Sequence, residues 1–276
     1  MNKKLVFLDI DGTIRNYDGA IPDSSVRAIR QARRNGHEVL LCSGRPVRML
    51  EKRITDIGFD GVVACTGGTV IYKGETISSL YFDRLEYLEL MDYLIERDCI
   101  VDIETDSRGY MLRENLEAYA RIQNVTVVAL GIEDGRTTPH LIDHASELAD
   151  VMKLVAFGPI AIEDQLLKDW PDLNITGISF PFSADDDELW AWEITPAGMN
   201  KVSGIRCVME AGGYDREDVI AVGDGENDIE MIGYAGQGVA MGNAVKEARE
   251  AADLVTADIM SHGLEKAFMD TGLLES

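Results

Sequence analysis

Leu5-Val6-Phe7-Leu8-Asp9-Ile10-Asp11-Gly12-Thr13 decides the fold. Four apolar residues run into an aspartate; a second aspartate follows two positions later, then glycine and threonine. A short apolar run of this kind reads as a strand buried in a parallel sheet. Residues i and i+2 of an extended segment point the same way, so the strand delivers both carboxylates to one spot at its C-terminal end. In open α/β sheets that end is where ligands bind. Adjacent acids repel each other and desolvation adds to the cost. A cation or a shared proton is therefore expected beside Asp9 and Asp11.

The strand-helix rhythm continues outward. Ile21-Pro22-Asp23-Ser24-Ser25 is a helix start with Asp23 or Ser24 as N-cap, and Val26, Ile29 and Ala32 follow at helical spacing. Gly36 falls where a C-terminal cap belongs. Residues 38–42 form a second buried strand, ending at Ser43-Gly44-Arg45-Pro46. Pro46 suits the first turn of a helix whose apolar face is Val47, Leu50, Ile54 and Ile57. Residues 61–65 give a third strand, and 69–77 a hairpin around Lys73-Gly74.

The pattern changes after Phe82. A helix over 84–97 leads into strand candidates at 100–104, 110–112, 125–128, 152–157, 175–179 and 189–194. Helical stretches at 140–149 and 160–170 separate some of them. From Met199 the alternation resumes, and 218–223 is another buried strand that ends on Asp224. The expected fold is α/β: a Rossmann-like doubly wound parallel sheet with an inserted α+β domain. The core is assigned to residues 1–82 and 194–276, the insert to 83–193.

At 276 residues the chain has room for a large core and two domains. With 49 Asp and Glu against 26 Lys and Arg, nucleic acid and anionic membrane are poor candidates for its main partner. Cys42, Cys65, Cys99 and Cys207 form no CxxC pair, which reads as reduced core cysteines in a reducing compartment. Asp9 cuts the N-terminal apolar run too early for a signal peptide or a membrane span, so a cytoplasmic protein is expected.

Four places in the chain supply polar groups able to converge: Asp9 and Asp11; Ser43; Lys201; and Asp224, Asn227 and Asp228. Carboxylates, a hydroxyl and a lysine used together suit phosphoryl transfer. Mg²⁺ is a hard ion that prefers oxygen ligands, and it would relieve repulsion among Asp9, Asp11 and Asp224. Ser43 and Lys201 would then hold phosphate oxygens.

This order of motifs resembles the haloacid dehalogenase superfamily of aspartate-nucleophile phosphatases. Asp9-Ile10-Asp11-Gly12-Thr13 looks like its first motif, Leu41-Cys42-Ser43-Gly44-Arg45-Pro46 its second, Lys201 its third, and Gly223-Asp224-Gly225-Glu226-Asn227-Asp228 its fourth. Gly238-Val239-Ala240-Met241-Gly242-Asn243-Ala244, then Ala252-Asp253, looks like the Cof-type subfamily, as does an insert at the place of its type-2, C2B-like cap. Val202 departs from the usual glycine after the lysine, and Ser261-His262-Gly263 replaces a common polar-Asp-Gly-Val pattern.

The resemblance implies a Mg²⁺-dependent phosphatase of small phosphorylated metabolites, with sugar phosphates as candidates. Asp9 would attack phosphorus and form an aspartyl-phosphate, and Asp11 would serve as general acid and then base. Mg²⁺ would be held by Asp9, the Asp11 carbonyl and Asp224, with Asp228 behind them orienting metal-bound water or Lys201. Ser43, the Gly44 amide, Lys201 and Asn227 would contact the phosphate. An acid at Asp11, where related transport ATPases have threonine, favours fast hydrolysis. The alternatives are a phosphosugar mutase on the same scaffold and a phosphate-binding sensor without catalysis.

Each motif alone has a plainer reading. Asp-Ile-Asp-Gly-Thr by itself is a turn after a strand, and it fails as an EF-hand because no Glu closes a loop. Thr66-Gly67-Gly68-Thr69 lacks a Walker lysine. His140 and His144 read as surface residues of a helix, residues 185–188 as a solvated acidic loop, and Trp190 and Trp192 as packing one side of the insert.

Overall fold

A computed structural model describes residues 3–122, 139–159, 163–178 and 189–274 of the chain. The strand candidate at 125–128 and the acidic stretch at 185–188 lie outside the described residues. Two compact units are present: Met1–Arg45, Leu50–Ser79 and Asn200–Ser276 form one, and Pro46–Met49 with Leu80–Met199 the other.

The first unit is built on an eight-stranded sheet. Its strands are β1 (Leu5–Leu8), β2 (Glu38–Cys42), β3 (Gly61–Ala64), β4 (Thr69–Tyr72) and β5 (Glu75–Ser79), and, after the second unit, β12 (Val219–Gly223), β13 (Gln237–Ala240) and β14 (Leu254–Val255). The order is β14-β13-β12-β1-β2-β3-β4-β5. All neighbours are parallel as far as β3, and β4 and β5 close the edge as an antiparallel hairpin. Lys73 and Gly74 turn that hairpin with φ of 52° and 86°, a pair of positive values that matches a type I′ turn.

Every residue of β1 is buried, as expected of a strand covered on both faces. Phe7, Leu40, Val63, Val219 and Ala221 meet Ile205 and Val208 of the helix Lys201–Gly212 in one core. The chain adds β2 on one side of β1 and β12 on the other, so the C-terminal end of β1 is the topological switch point. Leu8 pairs with both Leu41 and Val222, which brings Asp9, Ser43 and Asp224 out at neighbouring strand ends.

One helix start and one helix change here. The first helix runs Asp23–Arg34 with Pro22, rather than Asp23 or Ser24, at the N-cap; Gly36 ends it as expected, at φ 94° after Asn35, with the Gly36 amide donating to the Arg33 carbonyl at 3.0 Å and the His37 amide to the Ala32 carbonyl at 3.2 Å. The segment after Pro46 is a 3₁₀ turn, Val47–Met49, and a one-turn helix, Lys52–Thr55. Ion pairs account for the break: Arg48 pairs with Glu104, while Glu51, extended at ψ 139°, pairs with Arg15, Arg45 and Arg53.

The second unit holds a six-stranded sheet of order β10-β11-β9-β6-β7-β8. Its strands are β6 (Ile100–Thr105), β7 (Gly109–Leu112), β8 (His140–Ile142), β9 (Val151–Pro159), β10 (Asn174–Ile178) and β11 (Leu189–Thr195). All pairs are antiparallel except β7–β8. The helix Arg84–Ile95 starts on Asp83, whose carboxylate accepts from the Leu85 and Glu86 amides at 2.9 and 3.2 Å. Its Tyr87, Leu90 and Leu94 pack with Leu166 against Val101, Ile103, Leu154, Trp192 and Ile194.

Trp192 is fully buried in that core, whereas Trp190, two residues away on the same face of β11, is 40 % exposed. His140 lies in β8 rather than on a helix, and Arg108 bonds its ring. His144 instead precedes the 3₁₀ turn Ala145–Glu147. Among the described residues, no helix is long and apolar enough to cross a membrane.

Candidate active site

Asp9 leaves β1 with its amide donating to the Val222 carbonyl at 3.0 Å, which fixes it between the ends of β1 and β12. Lys201 opens the helix Lys201–Gly212. Asn200 caps that helix: its side chain accepts from the Ser203 amide at 2.8 Å, and the Ser203 hydroxyl accepts from the Asn200 amide at 3.1 Å. The cap commits the backbone just where Lys201 points inward. Its ammonium, 1 % exposed, donates to Asp9 Oδ1 at 2.8 Å and to Asp228 Oδ1 at 2.5 Å. Asp228 Oδ2 accepts from the Asp224 and Gly225 amides, each at 2.9 Å. One buried carboxylate thus holds both the lysine and the loop that carries Asp224.

Asp224 is itself held from two sides. Thr13 donates its hydroxyl to Oδ1 and Tyr17 donates to Oδ2, both at 2.9 Å. Gly12 has φ +88°, and a Cβ there would run into the Asp224 carboxylate, so glycine is required on conformational and steric grounds. The Asn243 amide donates to the Gly12 carbonyl at 2.8 Å and accepts from the Ile259 amide at 3.0 Å. The segment around Gly242-Asn243 therefore anchors the loop that follows Asp11.

Burial pushes the Asp9 carboxyl pKa up, and the Asp228 charge adds to it, against the pull of Lys201. Burial and Asp228 also raise Asp224 to about 6, opposed by Thr13, Tyr17 and Lys201. Burial works against the charge on Lys201, but Asp228 and Asp9 outweigh it and hold its pKa well above the usual lysine value. Oxygens of Asp9, Asp224 and Asp228 all lie within 4.8 Å of one another. Lys201 is the ammonium paired with two of these three carboxylates, so the cluster has a deficit of positive charge. An all-oxygen, electron-rich set of this kind suits Mg²⁺. Asp228 is fully buried and tied to Lys201 and two backbone amides, whereas Asp224 is held by two side-chain hydroxyls and Asp9 uses Oδ1 alone for Lys201, so Asp9 and Asp224 are the carboxylates that would meet an ion.

Asp11 belongs to a different set of contacts. Arg15 donates to its Oδ1, through Nε at 2.9 Å and through Nη2, and Arg45 Nε donates to its Oδ2 at 2.8 Å. Glu51 pairs with both arginines in turn. Of the cation or shared proton expected beside the two aspartates, the structure shows cations, Lys201 for Asp9 and two guanidinium groups for Asp11.

Ser43 stands buried at the end of β2, its hydroxyl oxygen accepting from the Arg45 amide at 3.3 Å, with Gly44 half-buried between them. Asn227 is exposed on the turn Glu226–Asp228. Val202 packs against the core of the first unit, which accounts for an apolar residue after Lys201. Sequence reasoning gave no roles to Thr13, Arg15, Tyr17, Arg45, Glu51 or Asn243. Arg15 lies four residues after Asp11 and was legible as a charge pair; the others come together only through the fold.

A family model for haloacid dehalogenase-like hydrolases matches residues 6–268. The putative phosphatase YkrA of Bacillus subtilis is 30 % identical over 281 residues, covering 100 % of both chains. The pyridoxal phosphate phosphatase YbhA of Escherichia coli is 26 % identical and covers 94 % of each. Among solved structures, the subclass IIB sugar phosphatase BT4131 superposes with a TM-score of 0.80 at 25 % identity, over 99 % of this chain and 100 % of that one. The match spans both units and every motif from Asp9 to Asp228, and the chain belongs to the haloacid dehalogenase-like hydrolases, as a phosphatase of the Cof type.

Proposed function

We propose that this phosphatase hydrolyses small phosphorylated metabolites through an aspartyl-phosphate on Asp9. The observation that carries the reading is the buried Lys201 ammonium bridging Asp9 and Asp228 beside Asp224. A carboxylate so placed is a fixed nucleophile beside a cation that accepts phosphate charge. Asp9 attacks phosphorus as the ester oxygen departs, and Asp11 supplies the proton that oxygen needs. Water then attacks the aspartyl-phosphate, Asp11 takes its proton, and Asp9 is regenerated with free phosphate. Arg15 and Arg45 occupy both oxygens of Asp11, so Asp11 must part from one guanidinium to carry the proton it gives and takes. Ser43, the Gly44 amide, Lys201 and Asn227 hold the phosphate oxygens.

Asp9, Asp224 and the Asp11 carbonyl would hold Mg²⁺. When bound, the ion supplies charge that screens the nucleophile from the phosphate. Asp228 works from behind, through Lys201 and the Asp224 loop. Residues 83–193 serve as a cap domain that selects the organic part of the substrate. The sugar phosphatase and pyridoxal phosphate phosphatase among the relatives support small phosphorylated metabolites as the class. Four cysteines outside any disulfide, three of them buried, support a reducing, cytoplasmic setting.

The test is phosphate release from p-nitrophenyl phosphate. Wild-type protein should turn over with Mg²⁺, lose activity in chelator and regain it on Mg²⁺ addition. Asp9→Asn should release no phosphate above background; normal turnover by that variant would refute the assignment.

A further inference from the structure

Both carboxylate oxygens of Asp224 carry a hydrogen bond from a side-chain hydroxyl, and the two donors differ in kind. Thr13 is fully buried in the loop after Asp11 and cannot leave without unpacking that loop. Tyr17 is 73 % exposed, and its hydroxyl reaches Oδ2 at 2.9 Å. Its backbone lies in a turn that satisfies itself: the Asn16 amide donates to the Ala20 carbonyl, and the Gly19 amide to the Asn16 carbonyl, both at 2.8 Å. The Ala20 amide adds a bond to the Asp18 carboxylate at 2.9 Å. The ring can therefore swing away without breaking a backbone hydrogen bond or opening the core.

The Tyr17 hydroxyl is also electrostatically marked. Its acceptor Asp224 belongs to the cluster in which oxygens of Asp9, Asp224 and Asp228 lie within 4.8 Å of one another, so this O–H meets one member of a crowded carboxylate set. A neutral phenol presents only the positive end of a dipole there, whereas a divalent cation presents two full charges. The two compete for the electron density of Asp224, and the phenol is the one with little packing to hold it.

We propose that Tyr17 is a displaceable latch on Asp224, which holds this carboxylate in the metal-free protein and is expelled when a divalent cation binds. This rests on the metal site proposed above and adds a residue that sets its affinity. The latch makes metal binding cost one charge-assisted hydrogen bond. In its closed form it also keeps a buried carboxylate oxygen from standing without a partner.

The experiment is isothermal titration calorimetry of Mg²⁺ into chelator-treated wild-type protein and Tyr17→Phe, without substrate. NMR of protein labelled at the tyrosine ring carbon accompanies it, the Tyr17 signal being identified by its loss in the variant. Tyr17→Phe should bind Mg²⁺ about three- to tenfold more tightly, since removing a charge-assisted hydrogen bond that metal binding must break favours the bound form. The wild-type Tyr17 signal should shift toward that of a solvated tyrosine as the ion binds. Equal or weaker binding by Tyr17→Phe, with Mg²⁺ still binding the wild type, overturns the latch and leaves the metal site standing. No Mg²⁺ binding by either protein removes the site and the latch together.

Discussion

Lys201 is the residue on which the first unit spends most electrostatically. A buried ammonium costs several kcal/mol of desolvation, and it is retained only because Asp9 and Asp228 meet it at 2.8 and 2.5 Å. Its removal should therefore act twice. Lys201→Met should reduce phosphatase turnover by about a hundredfold or more through loss of a preorganised cation. It should also destabilise the protein by about 3–5 kcal/mol, because two buried carboxylates lose their partner. Turnover and a urea melt of the same variant check both; an inactive but fully stable variant would mean that Lys201 does not hold Asp9 and Asp228 as described. The residue types at this site were legible in the sequence. Asp9, Asp11, Lys201 and Asp224 each follow or open an element with a clear pattern. The division of partners was not, because Lys201 is separated from Asp9 by 192 positions and Arg45 from Asp11 by 34.

At the scale of elements, the site depends on how tightly the loop after β1 passes the loop after β12. Gly12, at φ +88° with no room for a Cβ beside Asp224, is the point of closest approach. Gly12→Ala should cost about 1–3 kcal/mol in backbone strain and displace the Asp224 carboxylate. Chemical denaturation should show the loss of stability, and turnover should fall even well below the melting temperature. Unaltered kinetics in a folded Gly12→Ala protein would show that this approach does not position Asp224. Strand positions were readable because fully apolar runs such as Leu5–Leu8 and Val219–Val222 have one sensible use. The segment after Pro46 misled because Val47, Leu50, Ile54 and Ile57 have helical spacing, yet ion pairs to Arg48 and Glu51 pull it into two short turns. His140–Ile142 is too short for its pattern to separate strand from helix.

At the scale of the whole molecule, the first unit separates stability from chemistry along its sheet. Asp9, Ser43 and Asp224, the groups proposed to do the chemistry, lie at the C-terminal ends of β1, β2 and β12. The opposite end of β2 begins with Glu38, which is 5 % exposed and tied to Lys3 at 2.5 Å, to Lys73 at 3.0 Å and to the Tyr72 hydroxyl. Burial opposes its charge, but the hydrogen bonds from Lys3, Tyr72 and Lys73 outweigh it and lower the carboxyl to about 2. A carboxylate with a depressed pKa stabilises the fold above its unfolded value, about 4.5, and that contribution is lost as pH falls toward 2. Glu38→Gln should therefore cost about 1–3 kcal/mol at pH 7 and progressively less below pH 4, with kcat unchanged. Melts of both proteins at the two pH values check the sign; a deficit that grows on acidification would contradict it.

The proposed reaction requires Asp9 to become phosphorylated, and one measurement reaches that step directly. Asp11→Asn protein is mixed with Mg²⁺ and p-nitrophenyl phosphate, quenched in acid, digested and examined by mass spectrometry. With water activation slowed, the peptide that carries Asp9 should gain the mass of one phosphoryl group, and the gain should be absent from Asp9→Asn and from protein kept in chelator. Turnover with no phosphorylated peptide at any quench time, or a phosphoryl group on another residue, would contradict it.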